Sequence, residues 1–595
     1  MAARTVFNPK ILDASVRDVT ALLSDDQKAD VLLYAMQHLQ ARTTIENAVS
    51  SVLQITDLSP HNAAAARLLR AKARLAAGRR VGAHEDLEAV LRLEPEHPEA
   101  STMLSRRIVA VADKQSPALP RTYPMFSVEI WREIALFLPR HDLKTLLLVP
   151  HIVSRVASQL LFQKIDLHFV VWEDDEDESQ PEVRLDQQLD KWHAQRSADI
   201  LTRIIVDPGF AALVKTLRIF APRLSVQQSM AFQTGMLANA LPKMINLSNF
   251  HCTMNPQGLN SVLRVIESAR SKIEGLSLKP TNRSCPISLP NLKSLRKLAV
   301  YDLDENASQT FSFIAHNQGT IRELSLKGLF STLSTEALAV RHLTQLDFSG
   351  TIRADRQVFA EILANGRQLE TLRISCILNC GPSAQFRAHR TALPYLKHFA
   401  FTIMNISASV ADADLFPAIS EFLRHRPHLQ TLHLKAPFKS MQNRLGYDAA
   451  VWGVLPSLAA LRNLHITIPG DVAPGLATWL VPRTVRALSL DGELPELAEM
   501  PSFISQLRPG VPPSIRLIAF PQYAVPDVAL LVELGFPMVR VVRLGDDYWT
   551  VVRHSDGKVR ELEKWPSRRA RYSAHEWLEW LGCEDAMWPE IIDFF

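Results

Sequence analysis

At 595 residues the chain has room for several domains or one long repeat array, and 47% hydrophobic with 22% charged residues excludes a disordered or fibrous chain. With 66 basic against 62 acidic residues the formal charge is +4, so bulk electrostatics single out neither a nucleic-acid nor a membrane-surface partner. The 5 cysteines are an odd set that makes no disulfide framework, no window is apolar for membrane-span length, and the N-terminal stretch lacks a signal-peptide core. Reduced thiols in the cytoplasm or nucleus are therefore expected.

The first block reads as helices. "DDQKADVLLYAMQHLQ" has apolar residues at helical spacing, with Ser24 placed to cap it. A second helix is expected near Thr44 to Asp57, and two more in "NAAAARLLRAKARLAAG" and "RVGAHEDLEAVLRLEP". Pro60 and Pro95 mark stops 35 residues apart. Arg67, Arg70, Arg74, Arg79 and Arg80 read as a solvated face. "DKQSPALPRTYP" reads as a linker over 113–121.

The stretch "FSVEIWREIALFLPRHDLKTLLLV" predicts two short helices broken at "LPRHD", and "HIVSRVASQLLF" a third after Pro150. Phe126, Ile130, Ile134 and Leu138 recur every four residues and are expected to share a face. So small a bundle cannot hide all its apolar surface, which leaves a stripe for a partner or for a neighbouring domain. The acidic run Glu173 to Glu178 is expected to lie in a loop, within a connecting segment over 169–200.

From about residue 213 a new pattern takes over: apolar, two variable, apolar, variable, apolar. It occurs as "VKTLRI", "LSNFHC", "IEGLSL", "LRKLAV", "IRELSL", "LTQLDF", "LETLRI", "LKHFAF", "LQTLHL", "LRNLHI", "VRALSL", "IRLIAF" and "VRVVRL". Side chains alternate along a strand. Positions 4 and 6 should therefore enter a core, joined by position 1, and positions 3, 5 and 7 should face the opposite, concave side. One repeat cannot bury its row alone, so stacking is required. Past the array, "YWTVVRHSDGKVRELEKW" predicts a hairpin around Asp556 and Gly557. The tryptophan-rich tail that follows is expected to cap the open end of the solenoid, the other reading being a ligand site.

Three resemblances follow. "ARLLRAKARLAAGRRVGAHEDLEAVLRLEPEHPEA" resembles a tetratricopeptide motif, with Ala71 and Ala83 at small-residue positions and Gly78 near the turn; a plain helical bundle is the alternative. The repeated strand signal resembles a leucine-rich repeat array. "FSVEI", "IALFLPRHDL", "LLLV" and "RVASQLLF" resemble an F-box, and the continuation "QKIDLHF" is similar to fungal F-box proteins. Ser127, Phe126, Pro150 and Val153 depart from the usual motif. The expected fold is thus α/β: a leucine-rich repeat solenoid over 201–547, preceded by an all-α tetratricopeptide-like region over 1–112 and a three-helix F-box over 122–168, and closed by a hairpin and aromatic cap over 548–595.

The F-box resemblance implies docking on the Skp adaptor of an SCF ubiquitin ligase, and through it on a cullin. The implied contacts are Phe126, Ile130, Ile134, Leu138, Leu143, Leu146 and Val149, each with an alternative place inside the bundle; whether Leu146 or Leu147 faces outward stays open. The repeats would bind the protein substrate. No phosphate loop, dinucleotide fingerprint, zinc motif or ligand-spaced Cys/His site is present, so neither catalysis nor a cofactor nor a metal is expected. A scaffold outside ubiquitin transfer and a chromatin-linked receptor are the competing readings. On the presumed concave face the register places Arg218, Lys279, Lys297, Lys327, Arg373, Lys435 and Arg543, with His251, His398, His433 and His465, against Glu323, Asp347 and Asp491. This points to an acidic or phosphorylated segment centred on Lys327, Arg373 and Lys435, unless the charges only solubilise the face.

Overall fold

The structure, a computed structural model, describes scattered positions from 24 to 53, then residues 58–76, 80–104, 128–148, 152–169, 181–221, 231–269 and, with short interruptions, 272–589. The acidic run, Phe126, Val149 and Asp556 lie outside the described residues. The chain divides into two compact units, residues 1–125 and 126–595.

In the first unit, helices α1 (Pro60–Ala76) and α2 (Arg80–Leu93) pack through small side chains. Ala64, Ala71 and Ala83 are almost fully buried, with Leu68, Leu87 and Val90 around them. Ser24 caps as its sequence context predicts: its Oγ accepts from the Gln27 amide at 3.3 Å, and Gln27 Oε1 accepts from the Ser24 amide at 2.9 Å. The arginine face is not merely solvated. Arg70 donates to Asp86 at 2.6 and 2.9 Å, and Arg74 at 2.8 Å, clamping α1 to α2 through a carboxylate only 2% exposed.

The second unit is a 16-stranded sheet whose strands lie in chain order, β1 to β16. Each of the thirteen sequence signals becomes a strand that starts two residues after its first apolar position, from β2 (Thr216–Phe220) to β14 (Val541–Leu544). Positions 4 and 6 are the core: Leu432 and Leu434 of β10 (Thr431–Lys435), or Leu464 and Ile466 of β11 (Asn463–Thr467), are 0% exposed. The chain returns through helices such as Pro256–Ser268, where Asn255 Oδ1 accepts from the Gly258 amide at 2.8 Å and Leu259, Val262, Leu263 and Ile266 face the sheet. Midway the core is filled by phenylalanine: Phe386 lies 5.9 Å from Phe401 and 5.5 Å from Phe422, both edge-on.

The solenoid starts earlier than the array expected from about residue 201, at "FQKIDL", which carries the same signal. "KIDLH" forms β1 (Lys164–His168), paired parallel to β2 with Asp166 opposite Arg218, so the segment read as an F-box extension is the first rung. The stretch expected to connect over 169–200 is largely helix, α6 (Pro181–Val206), whose Ser197 Oγ accepts from the His168 amide at 2.8 Å. At the other end the hairpin is present. β14 turns at Gly545, in left-handed backbone at φ 57°, into β15 (Asp547–Arg553), which pairs antiparallel with β14 and with β16 (Val559–Lys564).

Ahead of β1 stand α3 (Val128–Leu136), α4 (Arg140–Leu146) and α5 (Ile152–Leu161). Their shared core is Ala135, Leu143, Val156, Ala157 and Leu161, with Trp131, Leu138, Leu146 and Leu147 packed against it.

Candidate interaction surfaces

The three-helix segment leaves one face of α3 uncovered. Trp131 and Ala135 point inward, so the positions one residue earlier, Ile130 and Ile134, point out and are 45% and 41% exposed. Phe137, just beyond the helix, is 86% exposed and Leu148 81%. The face differs from the one drawn from sequence. Leu138 follows the end of α3 and packs inward, because the break at Pro139 comes before a further helical turn. Leu143 is buried, and both Leu146 and Leu147 lean on the core. The exposed apolar set is Val128, Ile130, Ile134, Leu136, Phe137 and Leu148, of which the sequence pattern picks out Ile130 and Ile134.

The concave face carries the cations where the register predicts, but acids meet most of them. Arg218 is 1% exposed and is held by Asp166 through two hydrogen bonds, one of 2.7 Å. Burial works against the Asp166 charge, yet the Arg218 bond and charge outweigh it and keep this carboxyl below its ordinary value. Lys297 pairs with Glu323 at 3.0 Å, Lys327 with Asp347 at 3.1 Å and Lys435 with Asp491 at 2.5 Å, while Arg373 approaches Asp347 at 3.9 Å. Lys279 and Lys327 lie over the Tyr301 ring at 5.9 and 4.8 Å. Two carboxylates, Asp347 and Asp491, thus offset most of the charge of the triad Lys327, Arg373 and Lys435, which weakens the positive centre expected there.

The histidines of this face are held neutral. Burial, with Arg218 and Lys279 nearby, pushes His251 down to about 3; its ring nitrogens lie 3.0 Å from the hydroxyls of Ser277 and Thr253. Burial pushes His398 down to about 4 and lowers His433 and His465, in the last case against the pull of Asp491.

The tail covers His398 and His433, whose rings lie 6.2 and 4.8 Å from that of Trp588. It does not cap the end of the solenoid but lies on the concave face. Helix α7 (Ala574–Trp580) and Cys583 pack on Ala487, Leu517, Ala519 and Val541, the position-3 and position-5 side chains of β12 to β14. In most earlier repeats these positions are polar; here they turn apolar because a segment covers them. Beyond α7 the chain meets a ladder of arginines at position 2 of four successive repeats. Their backbones bond rung to rung: Arg486 N to Arg462 O at 2.8 Å, Arg516 N to Arg486 O and Arg540 N to Arg516 O at 2.7 Å. Arg540 donates to Leu581 O at 2.9 Å and Arg516 to Gly582 O at 2.8 Å. Arg486 donates to Asp585 at 3.2 Å, with Arg462 at 3.9 Å from the same carboxylate. Trp588 then settles 4.8 Å from the His433 ring and 5.5 Å from the Arg373 guanidinium, and Gln345 donates to Pro589 O at 2.7 Å. The sequence signal was visible in "LRNL", "VRAL", "IRLI" and "VRVV", with arginine at the same place in each.

The other face of α7 meets the three-helix segment. Glu576 accepts from Arg140 at 3.0 Å and Lys144 at 3.3 Å, and His141 lies 4.5 Å from the Trp580 ring. Between α4, β1, α6 and the tail is a cavity of about 670 Å³ lined by Lys164, Asp166, His168, Arg196 and Trp577 among others. The described cysteines, Cys252, Cys376, Cys380 and Cys583, are unbridged and buried; no group among the described residues could hold a metal ion, and no described helix is long and apolar enough to cross a membrane.

The sequence matches no protein-family profile and no curated protein. Among solved structures it is similar to the yeast Rad7 and Elc1 complex, at 12% identity over 71% of this chain and 93% of that one, with a TM-score of 0.28. It is also similar to TLR13 in its complex with ssRNA13 (14% identity, 56% and 52% covered, TM-score 0.24) and to the leucine-rich repeat-containing protein LegL7 of Legionella pneumophila (11% identity, 61% and 90% covered, TM-score 0.22). The solenoid rests on the chain's own strand order and register.

Proposed function

We propose that the chain is a non-catalytic substrate-recognition subunit of an SCF-type ubiquitin ligase, with α3 to α5 docking on a Skp-type adaptor and the concave face of the solenoid holding a protein substrate. The observation that carries the reading is the exposed row Ile130, Ile134 and Phe137 on a small helical body bonded through Arg140 to the first strand and to the tail. Such a row is costly in water unless covered, and a standard interface of roughly 800 Å² per partner is built around apolar anchors of this kind. The F-box likeness of "IALFLPRHDL" names the partner. The solenoid supplies the second requirement, an extended face that binds another chain. The contribution to ubiquitin transfer is proximity of substrate to ligase, and no group on the chain has to do chemistry.

The test is reconstitution. Co-expressed with a Skp-type adaptor and its cullin, the chain should elute with both from a sizing column and from affinity capture on any one of them. A chain that elutes alone, with native circular dichroism, returns the protein to the class of free-standing scaffolds.

A further inference from the structure

The tail on the concave face is arranged like a bound peptide and unlike a structural plug. A plug is held by apolar burial, as α7 and Cys583 are. Past Cys583, Ala586 and Met587 still pack on the apolar cluster, but polar contacts join them: a carboxylate between two guanidiniums, an aromatic ring among a guanidinium and imidazoles, and a backbone carbonyl on an amide. Two more arginines of the ladder take successive backbone carbonyls just upstream. These are the contacts by which a groove reads an extended segment: backbone polar groups for hold, and side chains at fixed offsets for choice.

We propose that Arg462, Arg486, Arg373, His433 and Gln345 form a peptide-binding cradle, occupied in this structure by the protein's own residues 584–589, and that its external ligand is a protein segment bearing a carboxylate three residues before an aromatic–proline pair. The spacing is that of Asp585 to Trp588 and Pro589. The proposal deepens the receptor reading by naming the substrate chemistry, and it moves the acidic-substrate site from Lys327 and Lys435, which are paired within the face, to the arginine ladder. Trp588 shows that the internal ligand is not optimal: its indole Nε1 is buried without a hydrogen-bond partner among the described residues. A self-ligand with an unmet donor is one that a better segment can displace.

Competition from a tethered segment has a predictable size. At an effective concentration of about 1 mM, a tail of about 100 μM intrinsic affinity fills the cradle about nine-tenths of the time and weakens an external copy about tenfold. The experiment uses the chain truncated after Cys583, which keeps α7 and its apolar contacts, and a labelled synthetic peptide spanning residues 584–595. Fluorescence anisotropy should show binding to the truncated chain, binding about tenfold weaker to the full chain, and loss of binding when the peptide carries Asp585→Lys or Trp588→Ala. A full-length chain with Asp585→Ala and Trp588→Ala, which empties the cradle without shortening the chain, should bind the peptide as the truncated one does. A folded truncated chain that ignores the peptide overturns the cradle. Equal binding to full and truncated chains overturns the internal ligand. Indifference to the peptide substitutions overturns the stated segment chemistry. Adaptor capture reads the α3 face alone, so its failure would sink the ligase assignment while leaving the cradle to this test.

Discussion

Asp585 and Arg486 are 99 residues apart in sequence and 3.2 Å apart in space. The pair adds charge to the apolar packing that holds the tail, which continues through Ala586 and Met587. Its arginine is partly exposed, so the contribution is modest. A double-mutant cycle over Arg486→Ala and Asp585→Ala, read by chemical denaturation, should give a coupling of about 0.5–1 kcal/mol. Coupling indistinguishable from zero would mean that the tail does not dwell on the ladder in solution.

Trp588 separates ring packing from hydrogen bonding. Its ring contacts His433 and Arg373, while its Nε1 has no partner among the described residues. Trp588→Phe keeps a ring and removes the unmet donor, so it should leave stability unchanged or raise it by up to about 1 kcal/mol. Trp588→Ala should lower it by roughly 2 kcal/mol, as for a half-buried aromatic. Thermal melts of the two variants give the comparison, and a Phe variant as damaged as the Ala variant would contradict the geometry.

The solenoid was legible because its signal is local and repeated. A position-1 residue such as Leu429, followed by Leu432 and Leu434, sets both the strand and its buried face, and a one-residue slip would have exposed all three. The tail was not legible as a concave-face segment, because Trp588 meets His433 only after many repeats have curved the sheet. Its complement was readable in the apolar Ala487, Leu517 and Val541 at normally polar positions. The charge of the face was half read. The register found the cations, but Asp166 belongs to "FQKIDL", which fits the repeat signal yet reads as an extension of the helical segment, so the partner of Arg218 stayed hidden. In the helical segment the four-residue spacing of Ile130, Ile134 and Leu138 overran the end of α3, and Leu138 turned inward.

Acid should weaken the concave face. His398 titrates near 4 when folded against an ordinary 6.5, and His433 and His465 are lowered too, all chiefly by burial. The unfolded chain therefore binds more protons between about pH 6.5 and 4, and stability present above pH 6.5 is lost as pH falls through that window. The loss should reach up to about 1 kcal/mol per histidine by pH 5.5. Melting temperature measured from pH 7.5 to 5.5 should fall, and fall less in a chain with His398→Gln and His433→Gln. An equal fall in both would place the titration elsewhere.

The first unit has its own weak point. Asp86 is buried between Arg70 and Arg74. Replacing Arg70 and Arg74 together by alanine strands that carboxylate and should cost roughly 3 kcal/mol in the unfolding of this unit. Asp86→Leu should cost less, since the guanidiniums it releases are partly exposed and can turn to solvent, whereas the carboxylate cannot. Hydrogen exchange of α1 and α2 distinguishes them, and equal protection in both variants would show the pair to be energetically idle.

The receptor account is tested most directly by capture of a Skp-type adaptor on a chain carrying Ile130→Asp and Ile134→Asp, beside one carrying Leu143→Asp. The first two residues are exposed, so the double variant should keep native circular dichroism and melting while adaptor capture falls by at least about a hundredfold, the loss of two central anchors at roughly 1.5 kcal/mol each. Leu143 lies in the helical core, so its variant should lose capture and local structure together. Undiminished adaptor capture by the folded Ile130 and Ile134 variant would contradict the account.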